Sequence, residues 1–149
     1  MADIARNTQL DEAAVATYAT AIREEGRFDG ELLGVLGIFF GWPPQAGTVV
    51  SGVGLSDEGR ETSRVMLLDA KHRIIADSRS EATLGETYPL APEARKRGYD
   101  IYDDRIVAFA ETPGYETYAG LGWYGVIEYR LKASAGAPRR RESAKLAAL

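Results

Sequence analysis

The sequence predicts an α+β fold: an antiparallel sheet of five or six strands with helices packed on one face. Two observations lead to this prediction. Segments follow one another in the order helix, strand, short helix, hairpin, loop, hairpin, strand. The later strands are joined by short polar turns, which connect antiparallel neighbours because parallel strands need long crossovers. The length of 149 residues suits one domain with a buried core.

The N-terminal segment is predicted to be a helix over residues 9–25. Ala14, Tyr18 and Ile22 recur at a spacing of four residues, which places them on one helical face. Gly26 is a suitable stop. The apolar face would then pack on a sheet or on another helix, and the pattern does not separate these two arrangements.

The next segment, residues 32–40, is apolar at nearly every position and is predicted to be a central strand buried on both faces. Trp42, Pro43 and Pro44 end this strand, because proline cannot donate to a ladder. Pro44 also suits the first turn of a short helix that would run to Val53.

Residues 51–63 are glycine-rich and polar, which predicts a loop. Apolar runs bounded by polar turns then predict three further units: a hairpin over 64–78, a second hairpin over 99–111 and a last strand over 123–131. The domain is therefore predicted to span residues 1–131, with its sheet part at 30–131. Residues 132–149 form a basic, alanine-rich tail or linker.

Composition argues against several classes of function. A net charge of -4 makes a nucleic-acid partner a poor expectation. The absence of cysteine removes disulfides and thiolate chemistry, and the single histidine, His72, rules out a multi-histidine metal site in one chain. We therefore expect no metal and no cofactor. The longest apolar stretch is shorter than the ~20 residues that span a bilayer, so no transmembrane segment is expected in this chain.

Four segments carry a resemblance to a known family: LGVLGIFFGW at 33–42, RVMLLDAKHRIIADS at 64–78, LGETY at 84–88 and TPGYETYAGLGWYGVI at 112–127. Together they resemble the PAS-like Cache sensor domains of methyl-accepting chemotaxis receptors and related bacterial signalling proteins, over residues 30–130. The resemblance implies a PAS-like sheet, a small-molecule ligand, an N-terminal dimerising helix and a homodimer. It is compatible with a membrane-bound parent receptor, and it leaves the cellular location open.

Four aromatic residues are candidates for ligand binding, because they crowd the 112–122 loop and the start of the next strand: Tyr115, Tyr118, Trp123 and Tyr124. They could form a cage or lid over a ligand. Packing in the core is the alternative, and it is the more common arrangement for such residues.

Two charged residues of the first hairpin are further candidates. Arg64 could bind a carboxylate with two hydrogen bonds, or it could be a solvated edge residue. The resemblance places Asp77 near a ligand pocket. Asp69 is instead predicted to cap its own turn, and His72 to be an exposed turn residue.

The predicted function is that of a sensor: a module that binds a small molecule and passes a conformational change to a signalling partner. A ligand-free dimerisation module is the alternative, with Tyr18 and Ile22 packed across a two-fold axis. An enzyme ranks last, because no nucleophile–base arrangement is legible in the sequence.

Overall fold

The computed structural model describes residues 2–79, 84–93, 95–114, 119–131 and 143–144. The chain forms two compact units, Met1–Pro44 and Gln45–Leu149. Antiparallel sheets and two helices make the fold α+β, as the sequence predicts. No helix among the described residues is long and apolar enough to cross a membrane. The domain boundary at residue 131 stays a prediction.

The first unit is a three-stranded antiparallel sheet in the order β1-β2-β3. Its strands are β1 (Ala2–Asn7), β2 (Ala13–Arg23) and β3 (Leu32–Gly41). Strand β2 is central and pairs with β3 over most of its length, with Tyr18 opposite Ile38. A short 3-10 turn lies in each of the two connections.

The helix predicted over residues 9–25 is wrong, because this segment contains strand β2. The spacing that suggested a helix is ambiguous: residues four apart share a face of a strand as well as of a helix. Thr17, Thr20 and Ile22 are β-branched residues that favour the strand.

The prediction of a central, buried strand at 32–40 is also wrong in its placement. Strand β3 does form there, but it lies at the edge of its sheet. Its large side chains are exposed, with Phe39 at 50 %. An unbroken apolar run shows only that both faces of a strand are apolar, and burial depends on partners that the run itself does not reveal.

The second unit carries a six-stranded antiparallel sheet in the order β5-β4-β8-β7-β6-β9. Two helices precede it, and the elements run in chain order as α1 (Trp42–Ser51), α2 (Asp57–Thr62), β4 (Ser63–Leu68), β5 (Ile74–Asp77), β6 (Arg97–Ile101), β7 (Arg105–Glu111), β8 (Tyr124–Arg130) and β9 (Ser143–Ala144). Both predicted hairpins, the last strand and the short helix are confirmed.

Helix α2 is a departure from the loop predicted at 51–63. Ser56 caps it, because the Ser56 hydroxyl accepts a hydrogen bond from the Gly59 backbone N–H. The helix has only 6 residues, too few to show a helical repeat of apolar residues. Its last turn carries Arg60.

Both faces of the sheet in the second unit carry apolar side chains. Directly opposed residues share a face, so Met66, Val126 and Phe109 lie together on one face, which we call the core face. The core face carries a buried cluster completed by Leu68, Ile74, Tyr88, Leu90 and Val107. The opposite face carries Val65, Ile127 and Ala108, and helix α1 lies over it with Val50 buried.

Candidate functional site

The turn of the first hairpin is organised by one buried carboxylate. Asp69 is fully buried, and its Oδ1 accepts hydrogen bonds from the backbone N–H groups of Lys71 and Arg73, both at 2.8 Å. Its Oδ2 accepts a third bond from Arg73 Nε at 2.6 Å. The prediction that Asp69 caps its own turn is confirmed. These three hydrogen bonds give the carboxylate a structural role in the turn.

Arg64 and Asp77, both predicted to bind ligand, bind each other across the hairpin. Asp77 Oδ2 accepts from Arg64 Nε at 3.1 Å and from Arg64 Nη2 at 2.6 Å. The hydrogen bond to Asp77 raises the pKa of the Arg64 guanidinium. Glu86 adds a second carboxylate 3.7 Å from Arg64. Arg64 is therefore neither a free anion receptor nor a solvated edge residue, and its role in ligand binding stays a prediction.

Two of the four candidate aromatic residues lie against the core. Trp123 is buried. The Tyr124 ring meets the rings of Phe109 and His72 edge-on, at centroid distances of 6.3 Å and 5.7 Å. His72 is thus half-buried in its turn rather than fully exposed. The other two candidates, Tyr115 and Tyr118, lie outside the described residues.

A different place brings convergent polar groups together around empty space. A cavity of about 350 Å³, here called the polar cavity, lies among α1, α2 and the adjoining ends of β4 and β5. Part of its lining is apolar, from Val50, Leu55 and Val65, and the polar part consists of Ser51, Arg60, Ser63, Asp77, Ser78 and Arg79. All of these residues belong to the second unit.

Two arginines hold the walls of the polar cavity in place. Arg60 Nη1 and Nη2 donate to the carbonyl oxygens of Ser51 and Val53, each at 3.2 Å, and so tie α2 to the end of α1. Arg79 Nη2 donates to the carbonyl oxygens of Glu61 and Ser63, at 3.1 Å and 2.9 Å. Arg79 thereby connects the end of β5 to the junction between α2 and β4. A guanidinium has five N–H donors, so two bonds to carbonyls do not exhaust either side chain.

The electrostatic balance of the polar cavity favours an anion. Arg60 and Arg79 each bring a positive charge. Among the described residues, Asp77 is the single carboxylate in the lining, and both of its oxygens are engaged: Oδ2 by Arg64, and Oδ1 by the backbone N–H of Arg79 at 2.9 Å. Because Asp77 is paired with Arg64, the unpaired charge of the described lining residues is the positive charge of Arg60 and Arg79.

A second cavity adjoins the first beneath helix α1. It has a volume of about 360 Å³ and is lined almost entirely by apolar residues, among them Val49, Val53, Leu67 and Ile127. We call it the apolar cavity. Val50 and Val65 line both cavities, so the polar and apolar spaces are neighbours.

Asp77 was among the site residues predicted from the sequence, whereas Arg60 and Arg79 were not. A sequence signal for Arg79 existed: it follows Asp77 and Ser78 directly at the end of the hairpin. Arg60 had no such signal, because the segment around it reads as a loop. A comparison with family models, curated proteins and solved structures finds no match to this chain.

Proposed function

We propose that this chain is a sensor module of the PAS-like Cache kind and that it binds a small carboxylate in the polar cavity. The observation that carries the proposal is the pair Arg60 and Arg79 in a cavity where Asp77, the one carboxylate among the described lining residues, is paired with Arg64. The resemblance of residues 30–130 to sensor domains supports the same class of function.

The size and lining of the cavity support a small ligand. Ligand sites are clefts of about 300–1,000 Å³ with mostly apolar walls and a few placed polar groups. At about 350 Å³ the polar cavity is near the lower end of this range, which suits a molecule of a few carbon atoms. Arginine binds carboxylates with two parallel hydrogen bonds, and this geometry selects planar anions.

The apolar cavity supports a preference within this class. Because Val50 and Val65 line both cavities, they form an apolar wall of the polar cavity against which the hydrocarbon end of a carboxylic acid can pack. Each buried CH₂ group contributes about 0.8 kcal/mol. A short aliphatic acid should therefore bind more tightly than formate or acetate.

Signal transmission would follow from the position of the arginines. A carboxylate held by both would connect α2, through Arg60, to the end of β5, through Arg79. If α1 and α2 take two arrangements, the ligand favours the arrangement that brings both guanidinium groups within reach. The shift between the two states cannot exceed the difference in the ligand's affinity for them.

The test is a thermal-shift titration of the purified chain with short aliphatic acids, each paired with its neutral amide. A ligand that binds only the folded state stabilises it by about 2.7 kcal/mol at a hundredfold excess over Kd. We expect the acids to raise Tm and the amides to leave it unchanged. The effect should disappear in Arg79→Gln, persist in part in Arg79→Lys, and remain intact in the control Arg130→Gln, which alters an exposed arginine at the end of β8.

Because Arg60 and Arg79 also bind backbone carbonyls, each variant is compared by its ligand-induced change in Tm and not by its Tm alone. Equal shifts in the wild type and in Arg79→Gln would contradict the site. If no acid raises the Tm of a well-folded dimer, the ligand-free dimerisation module becomes the better description.

A further inference from the structure

Ser63 brings a buried hydroxyl to the lining of the polar cavity. It lies at the junction between α2 and β4 and is only 4 % exposed. Residues two apart in a strand share a face, so the side chain of Ser63 lies on the same face of β4 as that of Val65, which lines both cavities. The hydroxyl is therefore on the side of the sheet that helix α1 covers.

The backbone of Ser63 is fixed by two hydrogen bonds, whereas its hydroxyl is not engaged. The Ser63 N–H donates to the Gly59 carbonyl at the end of α2, and the Ser63 carbonyl accepts from Arg79 Nη2 at 2.9 Å. Within the part of the chain that the structure describes, the Ser63 hydroxyl has no hydrogen-bond partner. A buried hydroxyl without a partner costs free energy, so a ligand group that bonds to it is favoured over one that cannot.

The two other serines of the lining differ from Ser63 in this respect. The Ser51 hydroxyl donates to the Thr48 carbonyl at 3.4 Å. The Ser78 hydroxyl accepts from the Val65 N–H at 2.9 Å. Both serines are exposed, and each hydroxyl has a contact within the fold. Ser63 is thus the serine whose hydroxyl is both buried and open to a ligand.

The position of Ser63 relates its hydroxyl to the proposed carboxylate site. Arg79 contacts the carbonyl of Ser63 itself, through Nη2. The other N–H groups of the Arg79 guanidinium can still donate to a carboxylate. A ligand held by Arg79 therefore lies beside Ser63, and the group on the carbon next to its carboxylate is the one nearest to the serine.

We infer that Ser63 is a specificity-determining residue of the polar cavity and that it selects a small hydroxy acid, with its hydroxyl on the carbon next to the carboxylate. This inference rests on the proposed carboxylate site. The carboxylate binds Arg60 and Arg79, and the ligand hydroxyl forms a hydrogen bond with the Ser63 hydroxyl. A hydroxyl both donates and accepts, so the two hydroxyls can pair in either direction.

The charge of the lining separates a hydroxy acid from an amino acid with the same carbon skeleton. An ammonium group in the cavity would need a negative charge to balance it. Asp77, the single carboxylate among the described lining residues, is paired with Arg64. Arg60 and Arg79 would repel the ammonium group. The cavity should therefore bind lactate in preference to alanine.

Isothermal titration calorimetry of the purified chain with propionate, lactate and alanine tests the inference, because the three molecules differ only at the carbon next to the carboxylate. We expect lactate to bind the wild type roughly two- to tenfold more tightly than propionate, which is the range for one uncharged hydrogen bond. In Ser63→Ala the two acids should bind equally, at the wild-type Kd of propionate. Ser63→Thr should keep the preference for lactate. A serine with only a structural role would affect both acids alike and leave the ratio of their Kd values unchanged.

The matched control is Thr62→Val, which removes the neighbouring hydroxyl. That hydroxyl donates to the Glu58 carbonyl at 2.9 Å, and Thr62 is not among the described lining residues. The ratio of the two Kd values should stay at its wild-type value in this variant.

The outcomes separate this inference from the proposed function. Equal Kd values for propionate and lactate in the wild type would overturn the inference and leave the carboxylate site standing, because both acids still bind. A preference for lactate that persists in Ser63→Ala would show that another residue selects the hydroxyl. Alanine that binds as tightly as lactate would contradict the assignment to hydroxy acids. If neither acid binds, the proposed function fails and the inference fails with it.

Discussion

At the scale of single residues, the hydroxyl of Tyr88 is hydrogen-bonded to the carboxylate of Glu128. The hydroxyl donates to Glu128 Oε2 at 2.8 Å. Burial, with the hydrogen bond to Glu128 second, raises the pKa of Tyr88 above its ordinary value of about 10. The folded state therefore favours the neutral phenol, and the unfolded chain ionises first as pH rises.

The sign of the pH dependence follows from this order. The stability contributed by Tyr88 is complete below the unfolded pKa of about 10, and it is lost as pH rises towards the folded pKa. We expect Tyr88→Phe to lower the free energy of unfolding by about 1–3 kcal/mol at pH 7. Above pH 10 its stability should fall less steeply than that of the wild type.

Urea denaturation at a series of pH values measures both effects. Tyr129→Phe is the control, because Tyr129 is an exposed tyrosine of the same sheet. Parallel stability curves for wild type and Tyr88→Phe above pH 10 would show that the ionisation of Tyr88 has no part in alkaline unfolding.

At the scale of elements, helix α2 is a short segment whose stability depends on its cap. The Ser56 hydroxyl accepts the Gly59 N–H at 3.1 Å, and loss of such a cap costs about 0.5–2 kcal/mol. We expect Ser56→Ala to destabilise the chain by this amount and Ser56→Asp to retain most of the stability. Because α2 carries Arg60, Ser56→Ala should also weaken carboxylate binding, measured as a smaller ligand-induced rise in Tm. A variant that is destabilised but binds normally would show that the Ser56 cap has no effect on the carboxylate site.

The elements also show what the sequence could and could not predict. The hairpin of β4 and β5 was predictable because its signals are local: two apolar runs and a turn closed by Asp69. The segment of β2 was not, because apolar residues four apart fit a strand and a helix equally well. The exposure of β3 depends on which strands pair with it, and its own apolar sequence is the same for a central strand and an edge.

The candidate site was less accessible to sequence reasoning than the fold. Asp77 was named through the resemblance; the structure pairs its carboxylate with Arg64, and its part in ligand binding stays a prediction. Arg60 and Arg79 are 19 residues apart in the sequence, and only the folding of α2 against the end of β5 brings them to one cavity. Such convergence depends on tertiary structure and leaves no periodic signal in the sequence.

At the scale of the whole molecule, the proposed carboxylate site needs only one of the two units. The described residues that line the polar cavity all lie in Gln45–Leu149. If the chain forms the homodimer expected of a sensor domain, the monomer obtained by dilution should therefore still bind the carboxylate, with a Kd measurable by calorimetry. Loss of all binding in this folded monomer would contradict the placement of the site within one unit.

If the monomer and the dimer bind the carboxylate with different Kd values, the carboxylate must in turn change the stability of the dimer. If dimerisation tightens carboxylate binding by a given factor per site, the carboxylate must strengthen the dimer by the corresponding factor, because the coupling between two binding events is reciprocal. A tenfold difference in Kd equals about 1.4 kcal/mol of coupling per site. Sedimentation equilibrium with saturating ligand measures the dissociation constant of the liganded dimer, which must change by the corresponding factor. A coupling of this size in both experiments would identify dimerisation as the step through which ligand binding is transmitted, and equal dimer constants with and without ligand would assign transmission to a rearrangement within the protomer.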